Sequence, residues 1–512
     1  MCKWLINHLK KIWCIPAALL CWFASFYTDP KIFNILEGNK DTYYVIKLLY
    51  LAVLYGLWRG IQSIICRVIE KDSVAVQRIL YGGIYGIVLT VILILVWPGI
   101  WRTDEFGILG NVVAGQMYWW QHFLTSVFYM LSFMLLPFPT GVILVQIVIV
   151  SAGVGYFVQT IGDMLGLKKW KALLYLPFIL PPVILFQLYP MRLTLYAMLE
   201  IVLVCFLLER VKHNKDFSWK DMFFLVAATV LLSNWRSEGI YYIVLLPVIV
   251  FVVIKGKKQY KKYMFYLVST TIGFVAVWMF QSNGLKTERN DAYEITAYAQ
   301  SLVPLMNKAY EDGDSDGLAV VDHVVSVEEI LQATKEGKNG IECFWSGYMT
   351  SKEYTDDQFA DFKKQYVTWI CKYPDIYMKE RLQNFLTSYE QTNPTDNLKD
   401  ETNIQFVYFL MMFSHTEPLF PEIRAMLIHF MEHKIWYANW IPILALAVMF
   451  FYQLRRNKIA ALLIFSILVR VPLVFLTAPD NYFMYYYSMY VAGNIAILYM
   501  ILCLMRKIKK KK

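Results

Sequence analysis

Long uninterrupted apolar runs decide what this chain can fold into. Twelve of them, at about 13–27, 43–58, 80–98, 141–158, 173–188, 193–208, 222–235, 239–254, 264–280, 436–453, 459–477 and 483–504, are candidates to cross a bilayer core, which is about 30 Å thick. Only 17% of the 512 residues are charged, against about 25% in an average soluble domain. That excludes a string of soluble domains and also disordered, collagen-like and disulfide-scaffold classes. The expected fold class is an all-α polytopic membrane protein of about twelve transmembrane helices.

The net charge of +10 is not one field. Residues 281–435 hold 25 Asp/Glu and 14 Lys/Arg, a local balance of −11, while the rest of the chain carries +21. Basic residues packed between apolar runs beside one acidic block point to membrane topology and not to nucleic acid. With a cytosolic N-terminus, the inside connections collect 28 Lys/Arg, against five in the short outside loops, the usual cytosolic bias. Lys3, Lys10 and Lys11 open this series, followed by the clusters at Lys168, Lys169 and Lys171, at Lys257 and Lys258, and the tail from Arg506 to Lys512. Both termini are thus expected in the cytosol and the acidic block outside. The Lys-rich tail suits anionic headgroups.

Four divisions follow: 1–79, an N-terminal two-span segment that reads as uncleaved; 80–280, the core membrane domain with a first outer loop at 98–140; 281–435, an extracytoplasmic domain; and 436–512, three final spans with the basic tail. The run His122 to Leu136 is expected to lie along the outer surface, its Trp119, Trp120 and Tyr129 at headgroup level with Gln121 and His122. Within 281–435 the pattern is helical. Phe359, Phe362, Tyr366, Trp369 and Ile370 share one helix face, Pro374 stops that helix, and Tyr377, Leu382 and Phe385 mark the next. Such a domain serves as a structural cap or as a lid. Cys343 and Cys371 are the one pair of outer cysteines available to bridge, and spacing alone does not decide whether they do. Asp312, Asp314, Asp316 and Gly317 match the opening of a calcium loop, but His323 stands where the bidentate Glu belongs.

Chemistry is concentrated near the outer ends of spans. Asp104 and Glu105, in Trp97-Pro98-Gly99-Ile100-Trp101-Arg102-Thr103-Asp104-Glu105-Phe106, are adjacent carboxylates where partial desolvation makes unpaired charge costly. Arg236, in Ser233-Asn234-Trp235-Arg236-Ser237-Glu238-Gly239, joins two short spans and suits either a pair with Glu238 or a bidentate grip on phosphate. Arg192 sits in another very short outer loop. Inside spans, Lys47, Glu200 and Arg470 each need a partner or a ligand, and Glu200 with Arg470 forms a natural structural pair. Asn481, ahead of Tyr485-Tyr486-Tyr487, lies at the mouth of the last span. Together with His122 and Glu238 it is a candidate to line the site or meet the acceptor. Gly82, Gly83 and Gly86 fall within a span, where small residues serve helix packing and not a phosphate loop.

The acidic pair opening the first large outer loop, followed by a surface helix, resembles the polytopic C-type (GT-C) membrane glycosyltransferases, a superfamily including protein O-mannosyltransferases and the lipid A aminoarabinose transferase. The Ala297-Tyr298-Ala299-Gln300 segment, the Lys372-Tyr373-Pro374 turn and the Asn234-Trp235-Arg236 loop resemble a bacterial branch of it. The resemblance implies a bacterial plasma-membrane enzyme that moves a sugar from a polyprenyl-phosphate donor, with no further cofactor, to an extracytoplasmic acceptor of unspecified class, with inversion. Asp104 would be the base, Glu105 its orienting neighbour, and Arg236 with Arg192 or Arg470 the phosphate grip. No metal cluster stands out, so the reaction is expected to survive chelation. A transporter or flippase of a lipid-linked or anionic substrate is the main alternative, since broken spans and buried charges suit it too. A non-catalytic membrane scaffold is the third.

Overall fold

The computed structural model describes residues 13–34, 38–167, 170–255, 259–288, 294–388, 413 and 416–511. The basic residues Lys3, Lys10, Lys11, Lys168, Lys169, Lys257, Lys258 and Lys512 used in the topology count lie outside them, as does 389–412 of the acidic block. The described residues are helical, with no strand among them. In chain order the helices are α1 (Cys14–Thr28), α2 (Lys40–Ile69), α3 (Ser73–Leu95), α4 (Thr103–Val113), α5 (Phe123–Leu135), α6 (Thr140–Met164), α7 (Pro181–Gln187), α8 (Arg192–Lys212), α9 (Trp219–Asn234), α10 (Tyr242–Ile254) and α11 (Tyr260–Glu288). Then follow α12 (Thr296–Glu311), α13 (Ser315–Asp322), α14 (Val327–Lys335), α15 (Gly340–Trp345), α16 (Asp356–Lys372), α17 (Pro374–Thr387), α18 (Pro421–Met431), α19 (Trp440–Leu454), α20 (Lys458–Leu468), α21 (Arg470–Thr477) and α22 (Tyr487–Lys511).

Among the described residues, eight helical stretches are long and apolar enough to cross a membrane: Lys40–Ile69, Ser73–Leu95, Thr140–Met164, Ser237–Ile254, Tyr260–Lys286, Lys434–Leu454, Lys458–Thr477 and Tyr487–Met505. Four of the twelve expected runs fall short of that standard. α1 has 15 residues and α9 has 16. α8 passes only together with α7, to which it is bent by 114°. The run at 173–188 is not one helix: a 3-10 segment, Lys171–Phe178, leads into the seven-residue α7. Pro177, Pro181 and Pro182 explain the break, because proline lacks the amide N–H and its ring clashes with the preceding turn.

That broken segment is nonetheless tied along its length to its neighbours. Lys171 Nζ donates to Gln77 (2.9 Å), Tyr175 to the Tyr81 carbonyl (2.8 Å), and Tyr85 to the carbonyl of Phe178 (2.7 Å). Gln146 donates to the carbonyls of Gln187 (3.0 Å) and Tyr189 (2.8 Å). The backbone groups that proline leaves unpaired are thereby answered from α3 and α6. Those two helices approach through glycine, as read from sequence: a Cβ on Gly82 would lie 2.7 Å from the Ser151 carbonyl, and one on Gly155 would lie 2.4 Å from that of Arg78.

Polarity sorts to the two ends of the bundle. One end gathers basic residues: Arg78 bonds Gln159, Lys171 pairs with Asp163, Arg210 with Asp221, and Lys212 caps the Met164 carbonyl. The other gathers the loops at 96–122, 188–192, 235–241 and 478–486, overlaid by α12 to α17. These six helices have their own core around Leu302, Met306, Phe362 and Trp369. α16 starts at the capping residue Thr355, buries Phe359, Phe362, Tyr366 and Trp369, and gives way to α17 at Pro374, as its spacing predicts. α17 differs from expectation. Leu382 is half exposed, and the buried face carries Tyr377, Arg381 and Asn384, which hold the 476–478 turn through the carbonyls of Leu476 and Ala478.

Candidate functional site

α4 is short and begins at the mouth of the bundle, so its first turn delivers Asp104 and Glu105 into a wall of other loops. The preceding strand of chain is fixed from both sides. The Ile100 amide donates to the Leu188 carbonyl (3.1 Å), and Arg424 of α18 reaches the carbonyls of Val96 (3.3 Å) and Gly99 (3.1 Å). Trp101 is fully buried beneath, stacked on Phe106 with ring centroids 6.0 Å apart.

The two carboxylates meet unlike surroundings. Asp104 is partly exposed and accepts from the Gln121 amide at 2.9 Å. Burial raises its pKa, opposed by the charges of Arg102 and Arg192 and by Gln121. Desolvation outweighs the pull of the two cations. Glu105 is 1% exposed and accepts from the Tyr189 hydroxyl at 2.5 Å. Burial, with the Asp104 charge beside it, pushes Glu105 up to about 8, against the pull of Tyr189 and Arg102. At neutral pH it is therefore mostly protonated. A helix N-terminus ordinarily favours carboxylate anions; at Glu105 burial overrides it.

Arg102 and Arg192 form the cationic rim. The Arg102 guanidinium lies 4.8 Å over the Tyr189 ring. One Arg192 nitrogen donates to the carbonyls of Gln121 (2.8 Å) and Trp235 (2.9 Å), so Arg192 ties the first outer loop to the Trp235 loop while facing Asp104. Trp235 adds a bond from its indole to Thr125 at 3.1 Å. His122, buried with φ at 69°, accepts from the Leu124 amide, and burial together with Arg192 lowers its pKa to about 3. It is neutral and serves the turn into α5. The headgroup placement expected for this region needs correction. Tyr129 is fully buried and bonds the Pro190 carbonyl (2.7 Å), because α5 packs into the bundle mouth. Trp119 stands against Phe280, and Trp120 against Trp345 of the overlying domain.

The remaining expected cations are spent on partners. Arg236 closes on Glu238, through Nε at 2.7 Å and through a second nitrogen. Arg470 pairs with Glu200, bonds the Tyr196 hydroxyl at 3.0 Å, and lies among the tyrosines while Tyr242 donates to Glu200 at 2.7 Å. Lys47 likewise pairs with Asp29 inside the α1–α2 hairpin. Asn481 donates to Thr387 of α17 at 3.0 Å and is not bonded to Asp104. Its neighbour Tyr482 does lie in electrostatic reach of Arg102 and Asp104, with a phenol pushed up to about 12, chiefly by burial.

The calcium-loop candidate does not assemble. Asp312 pairs with Lys308, and Asp314 caps α13 through the Gly317 amide while accepting from Trp369 at 3.0 Å. Among the described residues no group of three His, Cys, Asp or Glu is placed to hold a metal. Cys343 is buried, Cys371 is exposed, and both are free thiols.

Sequence reasoning did not single out Arg102, Gln121, Tyr189 and Tyr482. Arg102 was legible in principle, two residues before Asp104. Gln121 lies in the same outer loop but reads from sequence only as a headgroup-level residue, while Tyr189 and Tyr482 come from distant loops and carry no local signal. No protein-family model, curated protein or solved structure matches the chain, so its function has to be argued from this geometry.

Proposed function

We propose that the chain is a membrane glycosyltransferase that moves a sugar from a polyprenyl-phosphate donor to an acceptor hydroxyl at the Asp104 end of the bundle, inverting the anomeric centre. The observation that carries this reading is the pair of adjacent carboxylates, Asp104 partly exposed and Glu105 buried against Tyr189, set near two arginines. In the proposed step, Asp104 takes the proton from the acceptor hydroxyl as that oxygen bonds the anomeric carbon. The carbon–oxygen bond to the lipid phosphate breaks on the opposite face. Phosphate is already a good leaving group, so the general acid of glycoside hydrolysis is not needed. A base of raised pKa accepts the proton more readily, which is what partial burial does for Asp104. Arg102 and Arg192 are assigned to the phosphate, since charge growing on it is best met by cations already in place. The assignment moves away from Arg236 and Arg470 because their charge is matched by Glu238 and Glu200.

The same reading takes the chain across the membrane twelve times. It adds α1, the tied segment from Lys171 to Gln187, α8 and α9 to the eight long stretches, with the basic end in the cytosol of a bacterial cell and α12 to α17 outside. A lipid donor keeps its tail in the bilayer while its head enters the mouth. Mass spectrometry of lipid-linked sugars, comparing wild type with Asp104→Asn at equal expression, tests the reading. Accumulation of one polyprenyl-phosphate sugar in the variant is expected; an unchanged lipid profile would remove Asp104 catalysis with this donor. Transport remains the second reading, favoured by the proline-broken segment and the buried Glu200–Arg470 pair. It predicts flux without change of covalent mass.

A further inference from the structure

At the end of the bundle opposite Asp104, α8, α19, α20 and α22 do not close on one another. They leave an apolar cavity of about 350 Å³, more than twice the ~150 Å³ void that takes up a benzene-sized molecule. Its walls are aliphatic, with Leu208, Met449, Ile464 and Ala496 among them. Along α8 it runs from Ile201 to Lys212, a depth of about 16 Å at 1.5 Å per residue. The deep end stops beside the paired Glu200 and Arg470, with Tyr196 and Tyr242 packed around them. The shallow end is polar, lined by Lys212, Gln453 and Asn457.

Charge at that shallow end is one-sided. Lys212 on one wall is exposed, and so are Arg455, Arg456 and Lys458, which flank Asn457 on the other. Among the described residues none of these four forms an ion pair with a carboxylate. Nearby cations do: Arg210 pairs with Asp221, and Lys215 with Glu209. A long, narrow, greasy slot with a cationic rim fits a molecule with a hydrocarbon tail and an anionic head.

We propose that this crevice is a binding site for one acyl chain of an anionic phospholipid, its headgroup held between Lys212 and the Arg455–Lys458 turn. The occupant enters from the basic end, because the deep end is sealed by charge pairs and tyrosines. A polyprenyl tail whose phosphate stood at Asp104 would have to pass that seal. The bound chain would fill a gap that otherwise forfeits dispersion contacts between α8 and the last three helices. The proposal rests on the membrane placement of the bundle and not on the transfer chemistry at Asp104.

The test uses full-length protein in detergent and phosphatidylglycerol carrying a photoreactive group on its acyl chain. Cross-linked peptides are expected from 446–467 and 492–502, with labelling reduced several-fold in Ala496→Trp, which fills the slot. Ala460→Trp, at the half-exposed mouth, gives the same reading if the deeper variant folds poorly. Replacing Lys212, Arg455 and Lys458 by Gln should leave the labelled peptides the same but abolish the advantage of phosphatidylglycerol over phosphatidylcholine. Full labelling of both tryptophan variants, equal labelling on the lipid-facing side of α3, or displacement by polyprenyl phosphate but not by phosphatidylglycerol would each overturn the proposal.

Discussion

Two polar layers of this bundle use the same side chains in opposite ways. In the layer of Glu200 and Arg470, each charge has an opposite partner at bonding distance, and Tyr196 and Tyr242 each add a hydrogen bond to the pair. Arg236 and Glu238 complete the same pattern in the next loop. In the Asp104 layer two adjacent carboxylates stand near two arginines, Arg102 and Arg192, and both of those charges act on Asp104. Burial pushes both carboxylates toward protonation, Glu105 up to about 8, while Arg192 also holds the carbonyls of Gln121 and Trp235 and Arg102 lies over the Tyr189 ring. Charge locked in a one-to-one buried pair holds helices in register, whereas carboxylates whose protonation is shifted by burial are suited to a reaction.

The largest expected effect is on the Asp104 layer. Asp104→Asn keeps size and the contact with Gln121 but removes the base, and should lower turnover by roughly 10²–10⁴-fold at unchanged expression. Single-turnover transfer from a lipid-phosphate sugar measures it. Retention of full activity would make Asp104 another structural charge and erase the contrast. Chelation should leave the wild-type rate unchanged, and its abolition by EDTA would show that a metal had been missed.

The matched layer should respond in stability and in a non-additive way. Arg470→Met alone leaves Glu200 buried and unpaired, at a cost of about 3–5 kcal/mol, whereas Glu200→Met with Arg470→Met should recover most of it. Thermal unfolding in detergent reads both. If the double variant is as unstable as the single one, the pair does more than balance charge.

Much of the difference is legible in the sequence. The pairs Arg236 with Glu238 and Glu200 with Arg470 were both open possibilities in the sequence, because a charge in a span must find a partner. The acidic start of the first loop was legible for the same reason. The helices of the overlying domain followed from spacing, as Phe359, Phe362, Tyr366 and Trp369 show. What sequence could not show was the fate of the segment at 173–188, where prolines turn an apolar run into a broken path whose backbone is answered by Tyr85 and Gln146. Nor could it place Tyr189 against Glu105. That contact depends on the bend between α7 and α8, and no pattern near either residue records it.

Glu105 gives a third way to sharpen the contrast. Its folded pKa, near 8, lies above the ordinary 4.5, so between those values the folded protein keeps a proton that the unfolded chain has released. Its contribution to stability is complete below about 4.5 and is lost as pH rises toward 8, at a slope of at most about 1.4 kcal/mol per pH unit. Glu105→Gln removes that slope. The variant should therefore gain on the wild type steadily from pH 5 to 8 in thermal melts. A constant difference across this range would mean that Glu105 is already ionised in the fold.

The smallest effect is the most diagnostic of how the two carboxylates divide their roles. Tyr189→Phe keeps the ring beneath Arg102 and deletes only the hydroxyl that donates to Glu105, a loss of about 1 kcal/mol in stability. Without that bond the charged form of Glu105 is less favoured, so its ionisation moves further up. Asp104 is not bonded to Tyr189, so an acid limb set by Asp104 should stay in place. Only the alkaline side should shift upward. If the acid limb moves instead, the two carboxylates share one proton, and the base belongs to the pair and not to Asp104 alone.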